Sequence, residues 1–139
     1  MNLEITEELY RYTFAEKNGE YIFDTDSFIV CRADSDEAAA IKSPVVFPAI
    51  SQIEEMKAYV KQLNNTKIQH AFHNLTDEEY KDVFWKYFDD GGNNLMYVQF
   101  EKYFRITKII EWCNDNGIPY FIKDEYIKKA LNAYTGKIE

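Results

Sequence analysis

The chain is poor in cysteine and in long apolar runs. Its 139 residues include only Cys31 and Cys113, which lie far apart and form no Cys-x-x-Cys motif, so we expect two reduced, structural thiols. No apolar run reaches the ~20 residues that cross a bilayer. The first residues lack the basic and apolar regions of a secretory signal. These absences predict a cytoplasmic protein that does not interact with membranes.

Motifs for catalysis and for cofactors are also missing. The sequence has no Gly-x-Ser-x-Gly elbow, and neither cysteine lies near a histidine along the chain. It has neither the Gly-x-Gly-x-x-Gly nor the Gly-x-x-x-x-Gly-Lys pattern of phosphate-binding loops. We therefore expect no cofactor, and the sequence favours a non-catalytic function over an enzyme.

Basic residues are outnumbered, with 16 Lys and Arg against 24 Asp and Glu and a net charge of −8. Residues 1–55 hold 12 acidic and four basic residues, whereas residues 56–139 hold 12 of each. This balance disfavours general binding to nucleic-acid phosphates, which needs clustered Lys and Arg. The acidic excess is regional, and it fits either an interaction surface or a solvated face that keeps the protein soluble.

Aromatic residues are abundant, with 10 Phe, 11 Tyr and 2 Trp. Such a composition is not that of a disordered chain. So many tyrosine hydroxyls cannot all find partners inside one small core, so several rings should lie at the surface, where tyrosine is favoured in protein interfaces. Trp85 lies beside the main apolar stripe of its predicted helix, and it is either a second core contact or an exposed anchor.

The length predicts a single globular domain over residues 1–139. Ile5, Leu9 and Tyr12 have helical spacing, which predicts a helix that ends near Asn18-Gly19. Two β-branched and aromatic runs follow, Tyr21–Phe23 and Phe28–Cys31, and the turn residues between them predict a hairpin. A third strand is expected from 45–47 or from 120–122, because a lone hairpin is only marginally stable.

The second half predicts helices. Ser51–Glu54 and Thr76–Glu79 match capping boxes, and a short helix is expected between their helices, over Lys67–Phe72. The segment 89–94 is the strongest loop signal, and a long helix should run from Leu95 to Asn116. The predicted fold is α+β: a mostly α-helical single domain with a small N-terminal antiparallel sheet, an acidic α/β part over about 1–50 and a helical part over about 51–139.

Two groups of residues are candidate metal or binding sites. His70 and His73 are spaced i, i+3, which on one helix would place both imidazoles on the same face for a metal ion. The acidic clusters include Asp34, Asp36 and Glu37, and Asp89 with Asp90 beside Gly91-Gly92. None of these clusters continues into an EF-hand loop. The Asp89-Asp90 loop is the best candidate among them for a contact with a cation or a partner.

A basic strip is formed by Lys102, Arg105 and Lys108, but Glu101 and Glu111 lie close in sequence. Salt bridges on the helix are therefore expected there rather than a nucleic-acid footprint.

Three functions remain open from the sequence. The first is a cytoplasmic, non-catalytic protein-interaction or regulatory module, which binds a partner or self-associates as a homodimer through the acidic region and exposed aromatic residues. The second is a small metal-dependent enzyme that uses His70, His73 and nearby carboxylates. The third is an acidic mimic of nucleic acid. The sequence names no family, substrate or partner.

Overall fold

The computed structural model describes residues 1–88 and 91–134, and these residues adopt the predicted α+β fold. The strands are β1 (Leu3–Glu4), β2 (Tyr21–Asp24), β3 (Ile29–Arg32), β4 (Pro44–Val46) and β5 (Tyr120–Phe121). The helices are α1 (Glu7–Tyr12), α2 (Ala15–Asn18), α3 (Asp36–Ala39), α4 (Gln52–Gln62), α5 (Thr66–Ala71), α6 (Asp77–Phe88), α7 (Gly91–Asp115) and α8 (Glu125–Tyr134). Within these ranges no helix combines the length and the apolar character that a bilayer span requires.

The predicted hairpin is formed by β2 and β3, and β4 adds the third strand of an antiparallel sheet in the order β3-β2-β4. Ile22, in the central strand, lies opposite Cys31 on one side and Val46 on the other. Of the two segments expected to supply a third strand, the one near residue 45 does so. The segment near residue 120 instead pairs in parallel with β1 in a separate two-stranded sheet.

The prediction of one continuous N-terminal helix was wrong. Ile5 belongs to the β1–β5 pairing, since its N–H donates to the carbonyl of Phe121 at 3.0 Å. The first helix begins only after Thr6, whose hydroxyl accepts from the N–H of Leu9 at 3.2 Å. It ends at Tyr12, and the chain turns at Thr13 before α2. The turn places the Thr13 carbonyl and hydroxyl where a buried arginine binds both.

The helix caps expected in the second half are present. Ser51 Oγ accepts from the N–H of Glu54 at 3.2 Å, and α4 follows. Thr76 and Glu79 form a reciprocal capping box, because Thr76 Oγ1 accepts from the Glu79 N–H while Glu79 Oε1 accepts from the Thr76 N–H. Asp124 caps α8 by accepting from the N–H of Tyr126 at 2.8 Å.

The long helix starts earlier than predicted. It begins at Gly91 rather than Leu95, so the loop expected over 91–94 is wrong, and Asp89 and Asp90 lie outside the described residues. Two glycines lower helix propensity by only about 1 kcal/mol each relative to alanine. Propensity is a weak guide where a 25-residue helix packs against several neighbours.

The core has two parts, and α7 contributes to both. The first part joins the sheet to the second half of α7 and to α8; its fully buried members include Ile5, Phe23, Phe47, Ile106, Ile109 and Ile127. The second is an aromatic cluster among α4, α6 and the first half of α7; it includes Met56, Tyr59, Phe84, Phe88, Tyr97 and Phe100. Residues 101–105 of α7 therefore lie at the junction between the two parts.

Both cysteines are buried and free. Burial raises the pKa of the Cys113 thiol to about 11, so its nucleophilic thiolate form is scarce at neutral pH. This environment agrees with the expectation of reduced, structural thiols.

Candidate functional site

A buried charged pair lies at the junction of the two core parts. Arg105 on α7 is 1% exposed and Glu55 on α4 is fully buried. Arg105 Nε donates to Glu55 Oε2 at 2.5 Å. Arg105 Nη1 donates to the Thr13 carbonyl at 3.1 Å, to the Thr13 hydroxyl at 3.2 Å and to the Ile50 carbonyl at 3.0 Å. One guanidinium thus ties the turn after α1 and the start of α4 to the middle of α7.

Two tyrosines and a second glutamate extend this pair into a network. The Tyr97 hydroxyl donates to Glu55 Oε1, and the Tyr10 hydroxyl donates to Glu101 Oε1 at 3.0 Å. Burial raises the pKa of Glu55 to about 7, and the nearby carboxylate of Glu101 adds to the shift, whereas Arg105 and Tyr97 oppose it. Desolvation of the carboxylate thus outweighs the attraction of Arg105, so Glu55 holds a proton more readily than an exposed glutamate does.

A pocket of about 400 Å³ lies beside the network. Tyr10, Phe14, Glu101 and Arg105 line it, and the Phe14 ring covers the guanidinium, with 3.6 Å between Arg105 Cζ and the ring centroid. A carboxyl group of raised pKa next to a pocket is typical of acid–base sites. Here Glu55 exposes no surface, and both of its oxygens already accept hydrogen bonds.

Glu55 is therefore closed to a reactant. Every buried side-chain nitrogen or oxygen in the described part of the chain has a hydrogen-bond partner. A charge that is enclosed and fully paired stabilises an arrangement of helices and leaves no position for a substrate atom. The pair of Glu55 and Arg105 thus joins α4 to α7.

The two histidines do not form a metal site in the structure. Both are exposed, and α5 ends at Ala71, so His73 lies past the helix that was expected to place both on one face. Among residues 1–88 and 91–134, no group of three or more His, Cys, Asp and Glu side chains could hold a metal ion. The structure therefore gives no support to a metal-dependent enzyme at His70 and His73.

The acidic cluster after β3 is brought together at the surface. The carboxylate of Asp34 accepts from Arg32 in a paired contact at 3.0 and 3.1 Å, and both side chains are largely exposed. Asp36 and Glu37 occupy the first turn of α3, which Ser35 caps by accepting from the N–H of Ala38 at 3.2 Å. These acids lie at the end of an outer strand of the sheet.

Trp85 is 36% exposed. Its ring meets Phe84 edge-on at 5.3 Å and Tyr97 at 6.0 Å between centroids. It therefore contacts the aromatic cluster with one side and is partly exposed on the other, and its role as an anchor stays a prediction. The best candidate among the acidic clusters in the sequence, Asp89 with Asp90, lies outside the described residues.

Sequence reasoning missed Glu55 and Arg105. Within the supposed basic strip, Lys108 does pair locally with Glu111 at 3.5 Å, but Lys102 binds the distant Glu7 and Arg105 is buried. One sequence signal was available: Arg105 precedes the apolar Ile109 by four residues, so it lies on the buried side of α7. Its partner Glu55, 50 residues earlier in the chain, likewise precedes the apolar Tyr59 by four residues, but no local signal indicates that the two side chains pair.

We take the sheet and its acidic flank as the candidate functional surface, because exposed apolar side chains and exposed acids lie together there. Comparison with known proteins adds nothing to this choice, because the chain matches no protein-family model, no curated protein and no solved structure.

Proposed function

We propose that the protein is a non-catalytic binding module that acts in the cytoplasm and binds another protein through its exposed sheet. The observation that carries this proposal is the exposure of two large apolar side chains on the sheet. Ile29 is 55% exposed and Val46 is 68% exposed. Apolar side chains left in water on a sheet face favour association with a partner that covers them.

The two side chains share one face. Ile22 lies directly opposite Cys31 and Val46, so these three point to the same side of the sheet. Ile29 is two residues from Cys31 and therefore points to that side as well. We call this the outer face; α3 covers Cys31 on it, while Ile29 and Val46 remain exposed.

The charge around the outer face supports the same proposal. Asp34, Asp36 and Glu37 follow β3 directly, and residues 1–55 carry the entire net charge of −8. Interfaces commonly combine an apolar centre with a charged, hydrated rim. Such a rim favours a partner with a basic surface, because complementary charge speeds encounter and excludes wrong partners.

The alternatives receive less support. The one carboxyl group with a strongly raised pKa is closed to substrate, and the histidines join no metal-binding group in the described ranges. An acidic mimic of nucleic acid would present charge without large apolar side chains between its acids. A homodimer remains a form that the association could take, with a second copy as the partner.

The experiment replaces the acidic rim. The triple variant Asp34→Asn, Asp36→Asn, Glu37→Gln removes three exposed charges and keeps side-chain size. The matched control, Glu78→Gln, Asp82→Asn, Asp115→Asn, removes three exposed charges from the helical part. With tagged protein and a native lysate, we expect the captured partner to be lost from the triple variant and retained by the control. Equal capture by both variants would contradict the proposal.

A further inference from the structure

The β3 edge of the sheet is open. The N–H of Ala33 donates to the carbonyl of Glu20 at 2.9 Å, and hydrogen-bonded pairs alternate along an antiparallel ladder. Cys31 therefore bonds to β2, whereas the backbone groups of Val30 and Arg32 point away from the sheet. The Arg32 carbonyl accepts from the N–H and hydroxyl of Ser35. In the described ranges, no other element bonds to the backbone of Val30 or to the N–H of Arg32.

The opposite edge is partly covered. On β4, the N–H of Phe47 donates to the carbonyl of Tyr21, so the backbone groups of Val46 point outward. There the Trp112 indole Nε1 donates to the Val46 carbonyl at 2.8 Å. The β4 edge therefore offers few groups to an added strand, because Trp112 occupies the Val46 carbonyl and Pro44 has no N–H. The β3 edge presents two N–H donors and one carbonyl acceptor, which an added strand can pair with.

An acidic cleft borders the open edge. A cavity of about 280 Å³ lies between β3, β1 and α1, and its lining includes Val30, Glu4, Glu8 and Tyr12. The carboxylate of Glu8 accepts from the Tyr12 hydroxyl. The described residues contain no basic side chain in the lining of this cleft. A chain that lies along β3 would therefore meet carboxylates on the cleft side.

We infer that the β3 edge accepts an extended, basic segment of a partner protein as a fourth strand of the sheet. Main-chain hydrogen bonds to Val30 and Arg32 supply the pairing. Alternate side chains of the added strand face the cleft, where Lys or Arg meets Glu4 and Glu8. This inference rests on the proposed function and names the chemistry of its partner. A second copy fits poorly, because pairing two β3 edges brings like acidic groups together.

The probe is a short synthetic peptide in which lysine alternates with valine. Its matched control carries the same charge but is N-methylated on the backbone nitrogens that would face β3, so it keeps electrostatic attraction and loses strand pairing. We expect the control to bind about tenfold or more weakly in calorimetry, because it loses the donor to the Val30 carbonyl and its methyl groups block close approach to β3. A peptide with glutamate in place of lysine should not bind.

Amide hydrogen exchange gives the site. On addition of the lysine peptide, the amides of Val30 and Arg32 should become protected, while the Cys31 amide, already bonded to β2, should change little. The variant Val30→Pro removes one outward N–H from an edge strand, a place where proline is tolerated. It should lower the affinity for the lysine peptide by about tenfold and leave the far-ultraviolet circular dichroism spectrum of the protein unchanged. The exchange result on the unmodified protein decides the matter even if this variant fails to fold.

The outcomes separate this inference from the function on which it rests. Equal affinity for the methylated peptide, or protection elsewhere than Val30 and Arg32, would overturn strand addition. A dimer that forms with rising concentration in light scattering, and whose formation protects the same two amides, would also overturn the inference. A second copy of the chain would then occupy the edge. If the acidic-rim variant loses its partner while the peptide fails to pair with β3, the binding module stands and its strand-addition mode is wrong.

Discussion

Arg105 decides how the N-terminal helices are arranged. A buried guanidinium is costly unless its donors are satisfied, and here they bind Glu55, Thr13 and Ile50. Two of these acceptors are backbone carbonyls of segments far from α7 in sequence. The chain leaves helical geometry at Phe14, just after Thr13, so α1 and α2 are separate helices where Arg105 binds this turn.

The protonation of Glu55 predicts a pH dependence of stability. Its pKa is raised to about 7 in the folded protein from 4.5, so the folded state holds more protons than the unfolded state between those values. Stability from this group is therefore complete below about pH 4.5 and is lost as the pH rises to about 7. A shift of this size corresponds to about 3 kcal/mol.

The variant Glu55→Gln measures this contribution. Glutamine cannot ionise, so the variant does not lose the stability that the parent protein loses as Glu55 ionises. In urea unfolding, the free energy of unfolding of the variant relative to the parent should therefore rise between about pH 5 and pH 8. Glu101→Gln removes the neighbouring carboxylate and should weaken the same dependence in the parent background. If the difference in the free energy of unfolding between the parent and Glu55→Gln stays constant across this pH range, the pKa of Glu55 is not raised and the predicted pH dependence is wrong.

At the scale of elements, the sequence predicted the hairpin and the capped helices, because these depend on residues that are close together in the chain. The hairpin follows from two β-branched runs and a turn, and α4 and α6 follow from their capping boxes. Long-range contacts decided the rest. Either of two segments could have completed the sheet, and the choice of β4 depends on Trp112 and Phe47, which pack edge-on at 5.2 Å. The pairing of Glu55 with Arg105 is likewise invisible to local patterns.

Trp112 is predicted to stabilise the β4 edge. The variant Trp112→Phe keeps an aromatic ring between Phe23 and Phe47 but loses the donor to the Val46 carbonyl. We expect a loss of about 1 kcal/mol in the free energy of unfolding, measured with urea. Trp112→Leu should cost more, because the edge-on ring contacts are lost as well. Equal stability of Trp112→Phe and the parent would show that the indole hydrogen bond contributes nothing.

At the scale of the whole molecule, stability and binding are assigned to different regions. The paired, buried charges lie at the junction of the two core parts, where they hold α1, α4 and α7 together. The unpaired backbone edge, the exposed Ile29 and Val46 and the acidic excess all belong to the sheet and its flanks. The helical remainder is neutral, so charge alone would direct a basic partner toward the sheet.

The most direct test of the binding module is a map of its contact with the captured partner. Amide hydrogen exchange of the full chain, alone and in the complex, should show new protection within residues 21–46. Residues 66–88, which hold His70, His73 and Trp85, should be unchanged. Protection confined to residues 66–88, with the sheet exchanging as in the free protein, would contradict the assignment of function to the acidic sheet.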